Sequence, residues 1–572
     1  MIKRLLIFLI LLIAVPCWAA NWCVTPSGDN SDPTCASDCA DEIAAGSCMD
    51  WSDADGTTVM TAGDTLIFSG SFTIDIDTAT SFNIGESGSD PDYMIFDGSA
   101  ATITISNTST TDPLFLVGNY DWLELKDFTI RTGSGNDSTG LRLMTAGTSD
   151  NVKLHGWDIS AGLVQAFWPL DGITNWDIYE NTFQDLNGFT ACSGNAITIR
   201  DANTVNIYNN RFLDWGHAAI ETPALAGDEV QYINVYFNYF DNNTSNRACG
   251  SYPIATNSSV GDVHDIYFHH NFITNNRNRV QIIGASGVTQ DDIYVYGNVW
   301  SGIKNCCDTT DSADCDYANT DSCDDAQKYG PFRTGQAVVV NNGATDIYIF
   351  NNTISGTSES SFGIHAQAVA TGPVHIINNV IDNAANAPYG TGEGSPDSPL
   401  GSVFTSVDSA LSCYEANQGT TLELSYNIFN TNIAGTNAEG DVDWDGRSPE
   451  TISSFQAAIT AEQVPLVTGT NNTSDDPGFV SSSDLSPDTG SAMIGAGVTL
   501  SGAPYSNGGP GGTAIPLYNE VIDPDQTDFT TTPPTVVTEA QPSSWYIGAY
   551  GETGDVAPTL PIQGAAGNFK YN

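Results

Sequence analysis

Between Leu123 and Phe429 the chain repeats one pattern of apolar and polar positions ten times: an apolar residue, two variable residues, an anchor, and an apolar residue two further on. Eight copies read WDIYENTF, VNIYNNRF, INVYFNYF, IYFHHNFI, IYVYGNVW, IYIFNNTI, VHIINNVI and LELSYNIF, with anchors Asn181, Asn210, Asn238, Asn271, Asn298, Asn352, Asn379 and Asn427. Two earlier copies, LELKDFTI and VKLHGWDI, place Phe128 and Trp157 at the anchor. The steps between anchors are 29, 24, 29, 28, 33, 27, 54, 27 and 48 residues, so most match one unit, 54 is twice 27, and 48 is a unit plus an insertion. A period in this range marks a solenoid or an array.

Apolar residues alternate with polar ones in each copy, and Tyr, Val, Ile and Phe dominate, which predicts two short strands separated by a bend. Asparagine suits the bend, because it tolerates the left-handed conformation and its amide bonds to nearby backbone. Stacked at the strand spacing of about 4.8 Å, such amides also reach one another from coil to coil. A third strand precedes most copies, as in NAITIR, AAIET, RVQII, QAVVV and FGIHA. No amphipathic helix of any length is visible, so the expected fold is all-β: a single-stranded parallel β-helix with three strands per coil and an asparagine ladder. The crossover preference of parallel strands makes it right-handed. A sandwich does not require one residue type at one phase of every strand pair.

Aligning the apolar centres Ile197, Ile220, Ile254, Val280, Val338 and Ile364 places Thr198, Glu221, Ala255, Gln281, Val339 and His365 in one outward row, a candidate ligand surface. An insertion from about Ser301 to Gly335 leads into the strand QAVVV beside that row, and long loops in solenoids often carry function.

The first twenty residues combine Lys3 and Arg4 with a long apolar run and an Ala-rich end, which reads as a secretory signal cleaved after Ala19 or Ala20. The protein is therefore expected to be exported, to the periplasm, the cell surface or the medium, with no membrane span and as a monomer. The full chain carries 16 basic and 68 acidic residues, a net charge of −52. Such a surface disfavours nucleic acid and, without cations, also repels acidic polysaccharides. Cys23, Cys35, Cys39 and Cys48 cluster near the mature N-terminus and Cys306, Cys307, Cys315 and Cys323 in the insertion, which predicts two local disulfide sets in an oxidising compartment. Residues 21–60 then form a Cys-rich N-terminal cap, residues 61–431 the β-helix with its Cys-rich loop at 301–335, and residues 432–572 closing coils and a C-terminal cap.

The VxIxNNxI phrase, the lead-in WCVTPSGD with AGDTLIFSGSFT, and the tail segments DPGFV, LSPDTGSAMIGAG and YIGAYGE together resemble the secreted right-handed β-helix proteins of the pectate-lyase-like superfamily. The segment IYFHHNFITNNRNRVQII followed by DDIYVYGNVW is similar to the part of family 1 pectate lyases in which a HHN strand is followed by an arginine motif. That resemblance implies Arg277 or Arg279 as the base that removes the proton alpha to a uronate carboxylate, with calcium neutralising that carboxylate. Arginine titrates above about 12, so the role depends on an acidified substrate and an electropositive site. Glu221 falls where the family supplies a calcium carboxylate, and Asp214 and Asp241 are the neighbouring candidates for the remaining ligands. Gln281, His365 and His217 are candidates for contacting substrate. The proline the family carries after the arginine is absent here.

Two function classes stand side by side. One is a polysaccharide lyase acting by calcium-assisted β-elimination on that lateral row. The other is a non-catalytic extracellular glycan binder or adhesin using aromatics such as Trp168, Trp215 and Trp300. A glycoside hydrolase, which needs paired carboxylates, and a tailspike-like fibre rank below both.

Overall fold

The computed structural model describes residues 21–551 apart from 27–47, 50–59, 76–80, 108–112, 133–141, 161–164, 187–193, 243–251, 275–279, 284–287, 304–335, 357–361, 367–372, 384–421, 431–440, 443–449, 452–466 and a few shorter stretches. All the regular elements among these residues are strands. No described helix is long and apolar enough to cross a membrane.

The strands wind as a parallel β-solenoid. A representative coil runs Ala202–Tyr208, bends, continues as Arg211–Trp215, turns a corner and returns as Ala218–Thr222. The first two strands of each coil belong to a sheet of 25 described strands, and the third to a lateral sheet of ten. Because pairing is parallel and in register, each sequence position becomes a column. One inward column runs Ile178, Ile207, Val235, Phe268, Val295, Ile349, Ile376 and Leu424. All of these side chains are buried. A second column faces outward, where the rings of His155, Tyr179, Tyr208, Tyr236, His269, Tyr296 and Phe350 stack at 4.5–5.3 Å.

The anchors form the expected ladder, and the bonds show how it works. Asn298 donates both its backbone N–H and its Nδ2 to Oδ1 of Asn352, each at 3.1 Å, while a further Nδ2 hydrogen goes to the carbonyl of Phe268 at 2.8 Å. The same double donation links Asn181 to Asn210, Asn238, Asn271 and Asn298, and Asn352 to Asn379 and Asn427. It starts at the backbone N–H of Trp157 and runs on to Asn472, beyond the last repeat read in the sequence. Since Asn298 bonds directly to Asn352, the 54-residue step is one coil with an insertion and not two coils.

The left-handed backbone sits one residue earlier than expected. Glu180, Asn209, Phe237, His270, Asn351, Asn378 and Tyr426 carry φ between 51° and 57°, each directly before an anchor, and Gly297 has φ 62°. Each non-glycine residue there costs on the order of 1 kcal/mol. The anchor that follows is in exchange held by its amide ladder, so bend and ladder are coupled.

Beyond Asn472 the chain folds back along the flank. Asn378 exchanges two bonds with the backbone of Val498, at 2.8 and 2.9 Å, and Tyr267 donates to the carbonyl of Gly508 at 2.7 Å. Tyr296 donates to the carbonyl of Pro516. Leu500, Tyr505, Ile515 and Trp545 pack there against Tyr267, Tyr294, Tyr348 and Phe350. Beneath this strap lie two fully buried histidines: His269 Nε2 is 2.8 Å from Asn234 Oδ1, His269 Nδ1 is 2.9 Å from His270 Nδ1, and His270 Nε2 is 3.4 Å from the carbonyl of Glu520.

Two outcomes follow for stability. Asn298→Ala removes the acceptor of two buried donors on Asn271 and a donor to Phe268, so it should cost at least about 3 kcal/mol at the one to three kcal/mol typical of each orphaned buried group. Asn206→Ala, on the half-exposed outer face, should cost under about 1 kcal/mol, and chemical denaturation of the two variants distinguishes them. The second outcome concerns pH. Burial lowers the pKa of both histidines, that of His270 to about 4, against an ordinary value near 6.5. The unfolded chain then binds more protons than the native one below about pH 6.5, so stability falls on acidification from about 6.5 towards 4. Melting scans of His270→Asn, a residue that tolerates the left-handed backbone, should show a shallower acid decline than the parent; parallel declines would contradict the assignment.

Candidate functional site

The lateral sheet carries the candidate row in the register the repeat implies. Thr198 pairs with Glu221, Glu221 with Ala255, Ala255 with Gln281, Gln281 with Val339, and Val339 with His365. Exposure along the row is uneven, however. Thr198, Ala255 and Gln281 are buried, and the carbonyl of Gln281 accepts a bond from Thr256 Oγ1 at 3.3 Å. Among the described side chains of the row, Glu221 is the one that solvent reaches, 15% exposed. His365 holds its strand position, but its side chain lies outside what the structure describes.

Around Glu221 the polar groups converge. Asn195 opens the strand Asn195–Thr198, one coil before Ala218–Thr222, and is itself buried. Its Nδ2 donates to Glu221 Oε2 at 2.5 Å and to Thr198 Oγ1 at 3.0 Å. Its Oδ1 accepts from the backbone N–H of Ala218 at 3.1 Å and lies 3.3 Å from His217 Nδ1. A backbone N–H can only donate, so the amide orientation of Asn195 is settled by Ala218. His217 Nδ1 therefore faces two acceptors, Asn195 Oδ1 and, at 3.8 Å, Glu221 Oε1. Nδ1 therefore carries a hydrogen, and of the two neutral tautomers only the Nδ1–H form fits these contacts.

The corner holds His217 in place. Only Gly216 and His217 connect Trp215 to the strand, and both backbone N–H groups reach the carbonyl of Gly194 at 3.2 Å. From the next coil, Tyr252 sets its ring edge-on to the imidazole, with centroids 5.5 Å apart. The imidazole remains 27% exposed. A part-exposed imidazole, oriented by an amide with a carboxylate beside it, is the arrangement of a general base or a hydrogen-bonding ligand contact.

The other candidates are placed as follows. Arg277 and Arg279 lie outside the described residues, in the segment leading into the strand Val280–Ile283 that carries Gln281. Asp214 and Asp241 belong to the long sheet, on Arg211–Trp215 and Tyr239–Asp241, and Tyr239 donates to Asp241 at 3.4 Å. Glu221, already bonded by Asn195, is thus not joined to them on one sheet. Among the described residues there is no group of three or more His, Cys, Asp or Glu that could hold a metal. Trp215 and Trp300 are core residues, 2% and 0% exposed, whereas Trp168 is half-buried on the lateral sheet. Cys23 is disulfide-bonded and stands in register with Cys48. Cys35, Cys39, Cys306, Cys307, Cys315 and Cys323 lie outside the described residues.

A second concentration of charge lies on the long sheet. Asp265, Asp292 and Asp346 occupy the same left-handed turn on successive coils. Burial, with Asp292 close by, pushes Asp291 up to about 6. A hydrogen bond to Asp265 pushes His264 up to about 9. Asn195 and Tyr252 had no obvious mark in the sequence beyond one polar residue opening an otherwise apolar strand.

No protein-family model and no curated protein matches the chain. Solved structures that it resembles include a pectate lyase at 12% identity, covering 86% of this chain and 95% of that one with a TM-score of 0.34. An alginate lyase from Paenibacillus sp. str. FPU-7 shares 12% identity over 58% of this chain and 90% of that one, with a TM-score of 0.31. A PL6-family polysaccharide lyase from Pseudopedobacter saltans shares 12% identity over 78% and 94%, with a TM-score of 0.34. Likeness at this level does not bear on activity, and the parallel solenoid stands on its own strand pairing.

Asn195→Ala should leave Glu221, Thr198 and the N–H of Ala218 without their shared partner, at a cost of about 1–3 kcal/mol. Nitrogen NMR of the imidazole should show the Nδ1–H form of His217 in the parent and a mixture of tautomers in the variant; an unchanged tautomer would show that Asn195 does not orient it.

Proposed function

We propose that this is an exported protein whose lateral sheet binds polysaccharide, with the His217, Glu221 and Asn195 cluster at the centre of the bound region, and that it cleaves acidic polysaccharide by β-elimination. The observation that carries the reading is the orientation of His217: its Nδ1 is engaged by Asn195 Oδ1 while the imidazole stays partly exposed on this face. In an elimination, the base takes the proton alpha to the uronate carboxyl group, the C–H electron pair becomes the new double bond, and the glycosidic C–O bond breaks with its oxygen reprotonated. Imidazole is the side chain suited to take such a proton near neutral pH, whereas an arginine's pKa exceeds about 12. Arg277 or Arg279, which precede the strand of Gln281, then serve to neutralise the uronate carboxylate, a role calcium would share if the protein binds it. That division of labour differs from the one the family 1 resemblance implies.

The net charge of −52 favours a second reading, a non-catalytic glycan-binding protein, since acidic polymers are repelled at long range. Incubation with acidic and neutral polysaccharides, with and without calcium, separates the two. Elimination produces the ultraviolet absorbance of unsaturated uronate, and His217→Ala should lower that rate by about 10²–10⁴ without moving the melting temperature. Reducing ends without that absorbance would indicate hydrolysis, retention without any cleavage would support the binder, and full turnover in His217→Ala would remove His217 as the base.

A further inference from the structure

We propose that Arg142 and Trp168 form a subsite for a carboxylate-bearing sugar unit at the N-terminal end of the lateral sheet. The inference rests on the reading of that sheet as the polysaccharide face and adds the class of sugar it selects.

Arg142 opens the strand Arg142–Ala146, and Trp168 lies in the next one, Gln165–Pro169. Register places Arg142 opposite Gln165, and Gln165 opposite Asn195. Arg142 therefore occupies the column of the residue that organises His217 and Glu221. Its guanidinium carbon stands 3.3 Å from the centroid of the Trp168 ring. Stacking on the indole immobilises the guanidinium plane while the N–H edges stay outside the ring face, the geometry in which arginine accepts a carboxylate through two parallel bonds.

Charge bears on the pair too, although Arg142 shares with Lys153 and Arg211 the lack of an ion pair among the described residues. The chain has 68 acidic residues for 16 basic ones, so most cations should find a carboxylate. Several do: Arg131 meets Asp158 at 2.6 Å, Lys126 meets Asp97 at 3.1 Å, and Arg200 meets Asp228 at 3.3 Å. Arg142 makes no ion pair among the described residues, although burial lowers its pKa and so penalises its charge. A half-buried cation with no carboxylate partner among the described residues is poised for an external anion. Its position names the anion's carrier: the strand of Arg142 lies three coil steps from that of Glu221, about 15 Å at the strand spacing, along the axis of the same face. An extended sugar chain spanning several units covers that distance, with a carboxylate at Arg142 and a following unit at His217. The subsite also reconciles an acidic protein with an acidic ligand, because one local cation fixes the register of a chain that the distant field repels.

Calorimetric titration with hexamers of galacturonic acid, mannuronic acid and glucose, the last neutral, tests this in the full chain. Arg142→Gln should weaken an acidic hexamer tenfold or more, about the loss of one charge-assisted bond pair, and leave the melting temperature unchanged. Arg142→Lys keeps the charge but loses the fork and should fall between the two, and added salt should weaken the parent more than Arg142→Gln. Acidic hexamers bound equally by the parent and Arg142→Gln would overturn the subsite while leaving the lateral face as the binding surface. Preference of the parent for the glucose hexamer would overturn the selectivity. Binding of none of the three would bring down both the subsite and the reading beneath it.

Discussion

One amide geometry governs this molecule. The Oδ1 of each ladder asparagine must meet two N–H donors from the coil before it, and its Nδ2 must reach the next anchor and a backbone carbonyl. These groups are buried, so a missed bond costs the full desolvation of an amide. The bend of every coil is consequently pinned to one register. From that pinning the remaining columns follow: the aliphatic stack inside, the ring stack outside, and on the third side the lateral strands that place Arg142, Gln165 and Asn195 in one column and Thr198 and Glu221 in another.

The pinning also explains how the chain tolerates insertions. Between Asn298 and Asn352 and between Asn379 and Asn427 the sequence lengthens, yet the amides bond as if it had not. Closing a longer connection adds little entropy cost, and the ladder continues on its far side. The strap from Val498 to Glu520 is fastened differently, through tyrosine hydroxyls, the side chain of Asn378 and the His269–His270 pair. Burial opposes protonation of both histidines, so acidification works against this pair.

Much of the architecture was legible in the residues because register converts periodicity directly into space. The eight asparagines announce the ladder, and alignment of Ile197, Ile220 and Ile254 reproduces the observed pairing of Thr198, Glu221 and Ala255. Asn472 escaped because its phrase has Gly469 and Ser474 where the pattern has apolar residues. The left-handed position escaped because several residue types occupy it, from Glu180 to Phe237, so no letter marks it. The site was legible only in part. Glu221 and His217 could be named from their strand and corner, but the buried Asn195 that joins them, and the isolation of Arg142 from every described carboxylate, are properties of neighbours distant in sequence. Exposure was misjudged along the row for the same reason: alternation separates the two faces of a strand, yet it does not say what else packs on the outer one.

The lateral sheet is the one surface on which oriented proton-transfer chemistry, a stacked cation and a row in continuous register coincide, and the account of function depends on ligands binding there. Hydrogen–deuterium exchange with and without saturating galacturonic acid hexamer tests that most directly. Slowed exchange confined to peptides covering 142–146, 165–169, 194–198, 217–222 and 252–257 is the predicted result. Protection on the long sheet or the strap instead, or no protection at saturation by any acidic hexamer, would contradict it.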